Sequence, residues 1–160
     1  MKRLPEIPGH LPDRLVSKSM FLSVAESCTG GMIGQTLTSR PGASAWFAGG
    51  IIAYSNSVKQ TLCNVSEGLL EKHGAVSPET AQAMALGVRR TIPSGCSLAV
   101  TGIAGPGGGT VQKPVGLVYI AVSVADMFDT SEHLFGGDRE SIRSQTVIFA
   151  LNKLHRMLRE

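Results

Sequence analysis

The stretch FLSVAESCTGGMIGQTLT, Phe21 to Thr38, decides the fold class. Phe21 to Ala25 is short and apolar and reads as a buried strand. Gly30 to Thr38 carries small and apolar residues at helical spacing. The turn between them, AESCTGG at 25–31, holds an acid, two hydroxyls, a thiol and two glycines. A strand-to-helix turn needs a cap and a glycine, so this surplus of polar groups asks for a chemical reason. One reading makes Ser27 or Thr29 the helix cap and Cys28 a small buried filler. The other makes the turn an oxyanion or phosphate pocket at a helix N-terminus, with a nucleophile in it.

The same alternation continues outward from this unit. Pro12 suits the first turn of a short helix ending near Lys18. RPGAS at 40–44 is a loop, and WFAGGIIAYS at 46–55 reads as a strand. Asn56 is the expected cap of a helix over Ser57–Cys63. VSEGLLEKHG at 65–74 reads as a helix stopped by Gly74. SPETAQAMALGVRRTI at 77–92 gives the clearest helix, with Ser77 as cap and Pro78 at its first position. Ala81, Met84, Ala85 and Val88 line one face of it. Ser97 to Thr101 is a strand entering a glycine loop, and Val115 to Ala125 is a long strand. Thr130 to Phe135 pairs with it across a turn at Asp126–Asp129. Ser141 to Leu158 is a final amphipathic helix. The sum is an α/β fold: a three-layer α/β/α sandwich with a mixed, mostly parallel sheet ending in an antiparallel pair. Residues 1–10, with Pro5 and Pro8, are expected to be poorly ordered.

Composition bounds the function. The chain has 160 residues, 42% hydrophobic and 17% charged, which suits one packed domain spanning 1–160. The formal charge of +3 comes partly from the two ends and forms no basic stripe, which argues against nucleic acid as a partner. No apolar run reaches the roughly 18 residues of a membrane span. MKRLPEIPGH lacks the apolar core of a secretory signal. Cys28, Cys63 and Cys96 are odd in number and show no CxxC spacing. Free thiols in a cytoplasmic protein are the simplest expectation.

Loops that follow strands in an open α/β sheet gather at one edge, where ligands bind. Three polar loops qualify: AESCTGG, YSNSVK and TGIAGPGGG. In the second, Lys59 falls in the first turns of a helix, where a positive charge is unfavourable. It is either a solvated surface lysine or a desolvated one whose neutral amine acts as a general base. TGIAGPGGG at 101–109 has five glycines but matches neither GxGxxG nor the phosphate-binding loop spacing. It is either a flexible turn or a backbone-lined pocket, with Gly102 and Gly105 in its wall and Thr101 supplying a hydroxyl. In FGGDRESIRSQ at 135–145, Asp138 is the expected cap of the last helix. Arg139 and Arg143 are then solvated or hold a phosphate. His73 and His133 lack ligand spacing, so no metal is expected.

Taken together, AESCTGG, PGASAWFAGGIIAYSNSVK, HGAVS, TGIAGPGGG, KPVGLVYIAV and GGDRESIRSQ make the chain resemble the CinA C-terminal domain family, including its stand-alone PncC-type nicotinamide-nucleotide amidohydrolases. The likeness runs from Ser23 nearly to the C-terminus. It implies a three-layer α/β/α domain that hydrolyses the carboxamide of nicotinamide mononucleotide to nicotinate mononucleotide and ammonia, in pyridine nucleotide recycling. No cofactor is expected, and a homo-oligomer is. The pyrophosphatase-type domain of longer CinA proteins is not expected in 160 residues. Motif by motif, the resemblance points to Ser44, Tyr54 and Lys59, to Ser27 and Cys28, and to Thr101 and Arg139. Thr29 and Gly30 join Cys28 as expected substrate-binding positions.

The mechanism so implied is a serine attacking the carboxamide while Lys59 takes its proton. Tyr54 would hold the lysine or pass the proton, and backbone N–H groups around Cys28–Gly30 would hold the oxyanion. Ser44 and Ser27 both qualify as nucleophile. Ser44 is favoured, because Ser27 also serves as a cap and because the resemblance pairs Ser44 with the lysine. Cys28 is expected to have a lowered pKa beside the helix N-terminus. The rival from another class is a non-catalytic nucleotide- or phosphate-binding module. Phosphoryl transfer is disfavoured, since no magnesium carboxylate or phosphate-loop lysine stands at a usable spacing.

Overall fold

The computed structural model describes residues 3–159. Of the stretch 1–10, Met1 and Lys2 lie outside the described residues. Residues 3–8 are irregular, with Ile7 packed on the core. The elements then run α1 (Leu11–Ser17), β1 (Leu22–Glu26), α2 (Met32–Thr38), β2 (Phe47–Ile52), α3 (Asn56–Cys63), α4 (Glu67–His73), α5 (Pro78–Thr91), β3 (Cys96–Gly102), β4 (Leu117–Val124), β5 (Met127–Leu134) and α6 (Arg139–Met157). A short 3-10 turn, Ala43–Ala45, precedes β2.

The sheet order is β2-β1-β3-β4-β5. β1 is parallel to both β2 and β3, while β4 and β5 are antiparallel. This is the expected sandwich, with a parallel core and an antiparallel end. The hairpin is tighter than the sequence suggested. Val124 pairs with Met127, so the turn is Ala125-Asp126 and β5 begins three residues before Thr130. Ala125 takes a left-handed φ of 50° there, a residue type that gives no turn signal.

β1, β3 and β4 alternate between the two faces of the sheet. Leu22, Val24, Leu98, Val100, Ile120 and Val122 meet α1, α2 and α6 in one core layer. Ala25, Ala99 and Ala121 meet α3, α4 and α5 in the other. Small residues on this second face let α5 approach closely. A Cβ on Gly87 would come within 1.6 Å of the Cys63 carbonyl oxygen, so only glycine fits where α5 crosses the end of α3. Ser97 Oγ donates to the Ala85 carbonyl at 2.7 Å, which ties α5 to β3. Arg89 bonds Ser94 O, Ser123 Oγ and Ala125 O, tying α5 to the hairpin.

Helix starts follow their caps. Ser77 accepts from Thr80 N–H with Pro78 next, as expected. Asp138 accepts from Ser141 N–H, so α6 begins at Arg139. Two caps differ from expectation. Ser55, not Asn56, caps α3, accepting from Val58 N–H. At α2 no side chain of the turn caps the helix in the ordinary way, since its first flanking residue is Gly31 at φ 99°. Among the described residues, no helix is long and apolar enough to cross a membrane.

Candidate functional site

β1, β2 and β3 all end at one edge of the sheet, and the loops after them enclose a cavity of about 280 Å³. Ser27 and Cys28 line it from the first loop, and Tyr54, Asn56 and Lys59 from the second. Thr101, Gly102 and Gly105 come from the glycine loop, Arg139 from the start of α6, and Ala75 with Val76 from the α4–α5 connection. A larger depression between residues 3–7 and 39–41 holds none of the candidate residues.

The centre of the cavity is Lys59. It is 1% exposed, in the small-residue layer. Its Nζ makes three hydrogen bonds: to Ala53 O at 2.9 Å, to Tyr54 O at 3.0 Å and to Ser27 Oγ at 3.1 Å. No acid pairs with it among the described residues. Burial therefore dominates and pushes its pKa down from the ordinary lysine value, against weaker upward pulls from Cys63 and Cys28. A neutral amine here keeps two N–H bonds to the two carbonyls, and its lone pair then faces Ser27 Oγ.

Ser27 is nearly buried and free of the capping duty that sequence assigned to it. That duty belongs to Glu26, which sequence reasoning passed over. Its carboxylate accepts from Thr29 Oγ1 at 2.6 Å and from the N–H groups of Gly31, Ile33 and Gly34 at 2.8–3.1 Å. The acid in AESCTGG thus satisfies the N-terminus of α2. The signal was there: a glutamate ending an apolar strand needs donors, and the next helix start supplies them.

Several expected positions move. Ser44 is exposed in the 3-10 turn before β2, whereas Lys59 follows the other end of that strand. Six strand residues at about 3.3 Å each put roughly 20 Å between the two ends, so Ser44 is not brought to the lysine. Thr29 is fully buried against Glu26, and Gly30 turns its N–H to Ser27 O; neither lines the cavity. The Gly31 N–H is likewise spent on Glu26. Tyr54 holds Lys59 through its backbone carbonyl, while its phenol is 60% exposed and accepts from Arg139 Nη2 at 3.3 Å. Cys28 lines the cavity, but burial pushes its thiol up to about 12 rather than down, and the nearby Glu26 charge adds to the rise.

Thr101 Oγ1 donates to Ala75 O at 2.7 Å, fixing the α4–α5 connection against β3. Gly105 has φ 75°, and a Cβ there would meet Val115 at 2.5 Å, so glycine is required for the loop to fold down. Arg139 Nη1 donates to Gly105 O at 2.7 Å. Arg143, one turn later, donates to Thr29 O at 2.7 Å and so steadies the first loop instead of facing the cavity. Arg139 is exposed at the cavity rim and makes no ion pair among the described residues. No cluster of His, Cys, Asp or Glu that could hold a metal occurs among the described residues.

The CinA C-terminal domain model matches residues 6–158. A CinA-like protein of Parasynechococcus marenigrum is 55% identical over 139 residues, covering 86% of this chain and 33% of the relative. A putative competence-damage inducible protein of Alkaliphilus metalliredigens is 46% identical, over 91% of this chain and 35% of the relative. The chain thus spans about a third of the length of these relatives. Among solved structures, a competence/damage inducible protein of Agrobacterium tumefaciens matches with a TM-score of 0.89 and 37% identity, over the full length of both chains. The competence damage-inducible protein A of Klebsiella pneumoniae gives 0.91 and 30%, over 94% of each chain.

Proposed function

We propose an amidase activity for this chain, which belongs to the CinA C-terminal domain family: hydrolysis of the carboxamide of nicotinamide mononucleotide to nicotinate mononucleotide and ammonia. One observation carries the reading. A buried lysine without an acidic partner has its Nζ 3.1 Å from a serine hydroxyl in a cavity. Burying an amine without a counter-charge disfavours its charged form, and the lowered pKa of Lys59 supports a neutral amine here. A neutral amine in contact with a hydroxyl is a nucleophile and its base.

In this mechanism Ser27 is the nucleophile and Lys59 the base. Ser27 Oγ attacks the carboxamide carbon as its proton passes to Lys59 Nζ. The tetrahedral oxyanion is held by backbone N–H groups, of which that of Cys28, next to the nucleophile, is the nearest in the chain. Lys59 returns the proton to the departing nitrogen, and ammonia leaves an acyl-serine. Water, deprotonated by the same amine, releases the carboxylate and frees Ser27. Arg139 at the rim, hydrogen-bonded among the described residues to Gly105 O and the Tyr54 phenol, is available for the substrate phosphate. Tyr54 orients Arg139 through its phenol and Lys59 through its carbonyl.

Ammonia release from nicotinamide mononucleotide by the purified protein tests the reading. Activity is expected in the wild type and in Ser44→Ala, and none above background in Ser27→Ala. Binding without turnover in the wild type would instead support a non-catalytic nucleotide-binding module. An active Ser27→Ala protein would remove the serine assignment.

A further inference from the structure

Glu26 takes no part in the chemistry above, yet it is a carboxylate only 2% exposed, next to Ser27 in the chain. It makes no ion pair among the described residues, and hydrogen-bond donors carry its charge. Oε2 accepts from Thr29 Oγ1 at 2.6 Å, Ile33 N–H at 3.0 Å and Gly31 N–H at 3.1 Å, and Oε1 from Gly34 N–H at 2.8 Å. The backbone of the same residue points to the lysine. Ala53 N–H donates to Glu26 O at 2.7 Å, and Ala53 O accepts from Lys59 Nζ at 2.9 Å. Lys59 Nζ in turn meets Ser27 Oγ, which the chain joins to Glu26. Glu26, Ser27, Lys59 and Ala53 therefore close a ring, and the Glu26 carboxylate fastens that ring to the start of α2.

We propose that Glu26 is a positioning residue whose carboxylate, locked into the first turn of α2, holds Ser27 and Lys59 in reacting geometry. This rests on the reading of those two residues as nucleophile and base. The requirement is geometric: a misplacement of about 1 Å costs on the order of 100-fold in rate. The residue type is constrained as well. Two acceptor oxygens with no proton suit four converging donors, whereas a carboxamide of the same shape turns an NH₂ group toward some of them.

Glu26→Gln and Thr29→Val, each with the wild type as reference, test this by two readouts. One is ammonia release from nicotinamide mononucleotide. The other is the rate at which a fluorophosphonate probe labels Ser27, which needs no amide substrate. Glu26→Gln is expected to lower kcat about 10- to 100-fold with KM changed by no more than about twofold, and to slow labelling in proportion. Both rates are read at temperatures where circular dichroism shows native secondary structure. Thr29→Val removes one donor of four and should lower both rates by about three- to tenfold. A folded Glu26→Gln protein with wild-type kcat and labelling overturns the proposal. So does a loss that only tracks the unfolded fraction. If Glu26→Gln does not fold, Thr29→Val decides, and unchanged labelling overturns it. A wild type that labels at Ser27 in a Lys59-dependent way but releases no ammonia refutes the substrate, not Glu26. Labelling that ignores Lys59 overturns both.

Discussion

Among the described residues each face of the sheet buries one lysine, and the two are treated in opposite ways. On the face of large aliphatic side chains, Lys153 of α6 is 6% exposed and pairs with Asp129 of β5. On the face of alanines, Lys59 of α3 is 1% exposed and meets only two carbonyls and a hydroxyl. The difference teaches what makes a buried amine reactive. Lys153 has a carboxylate partner, while Lys59 has neutral acceptors and a burial that pushes its pKa down from the ordinary lysine value.

The comparison breaks most visibly at the proposed nucleophile and base. Ser27→Ala should cost up to about 10⁶-fold in kcat, and Lys59→Met about 10²–10⁴-fold, measured as ammonia release. Lys59→Met should also keep or raise the melting temperature, since it replaces a desolvated amine by an apolar chain of similar length. A folded Lys59→Met protein with near wild-type turnover would end the contrast between the two lysines.

Arg139→Ala should reduce kcat/KM for nicotinamide mononucleotide about 10- to 100-fold, from loss of roughly 1.5–3 kcal/mol in charge-assisted bonding. Nicotinamide riboside, which lacks the phosphate, should lose much less. An equal loss for both substrates would assign Arg139 to loop support through Gly105 and Tyr54.

The protonation of Lys59 gives the next test. The folded-state pKa of Lys59 lies below its unfolded value of 10.5. Between those two values the unfolded chain binds the proton and the folded chain does not, so stability rises with pH across that window and falls as pH drops through the folded pKa. The slope is bounded by about 1.4 kcal/mol per pH unit. Activity that needs the neutral amine should rise through the same folded pKa. Denaturant titrations at several pH values should show the slope in wild type and lose it in Lys59→Met.

Lys153→Met should do least. Asp129 is 59% exposed and is resolvated when its partner goes, so the loss is at most about 1 kcal/mol. No change in kcat/KM is expected, and a changed kcat/KM would show that the paired lysine reaches the site after all.

Much of the fold was legible because its signals are local. Ser77-Pro78 marks the start of α5, Asp138 the start of α6, and the short apolar run at Phe21 to Ala25 marks β1. The hairpin turn was misplaced because Ala125 carries a left-handed conformation without a turn residue's signature. The three loops around the cavity were legible as well, since parallel topology sends strand ends to one edge. The choice of serine was not, because it depends on which end of β2 a residue occupies and on which group caps α2. The sequence favours Ser44, in part because it gives Ser27 a capping duty, and only the Glu26 hydrogen bonds, made to residues up to eight positions away, release Ser27 from it.

β2 is an edge strand, paired to β1 alone, and the two carbonyls that hold Lys59 lie just beyond its end. Edge strands open locally before a sheet unfolds as a whole. When this one frays, the lysine meets water and regains its proton, and the proposed base is lost although the remaining sheet is intact. Resistance to heat and persistence of activity are therefore separate properties of this molecule, and inactivation should follow amide exchange at Ala53, not the melting of β3 and β4.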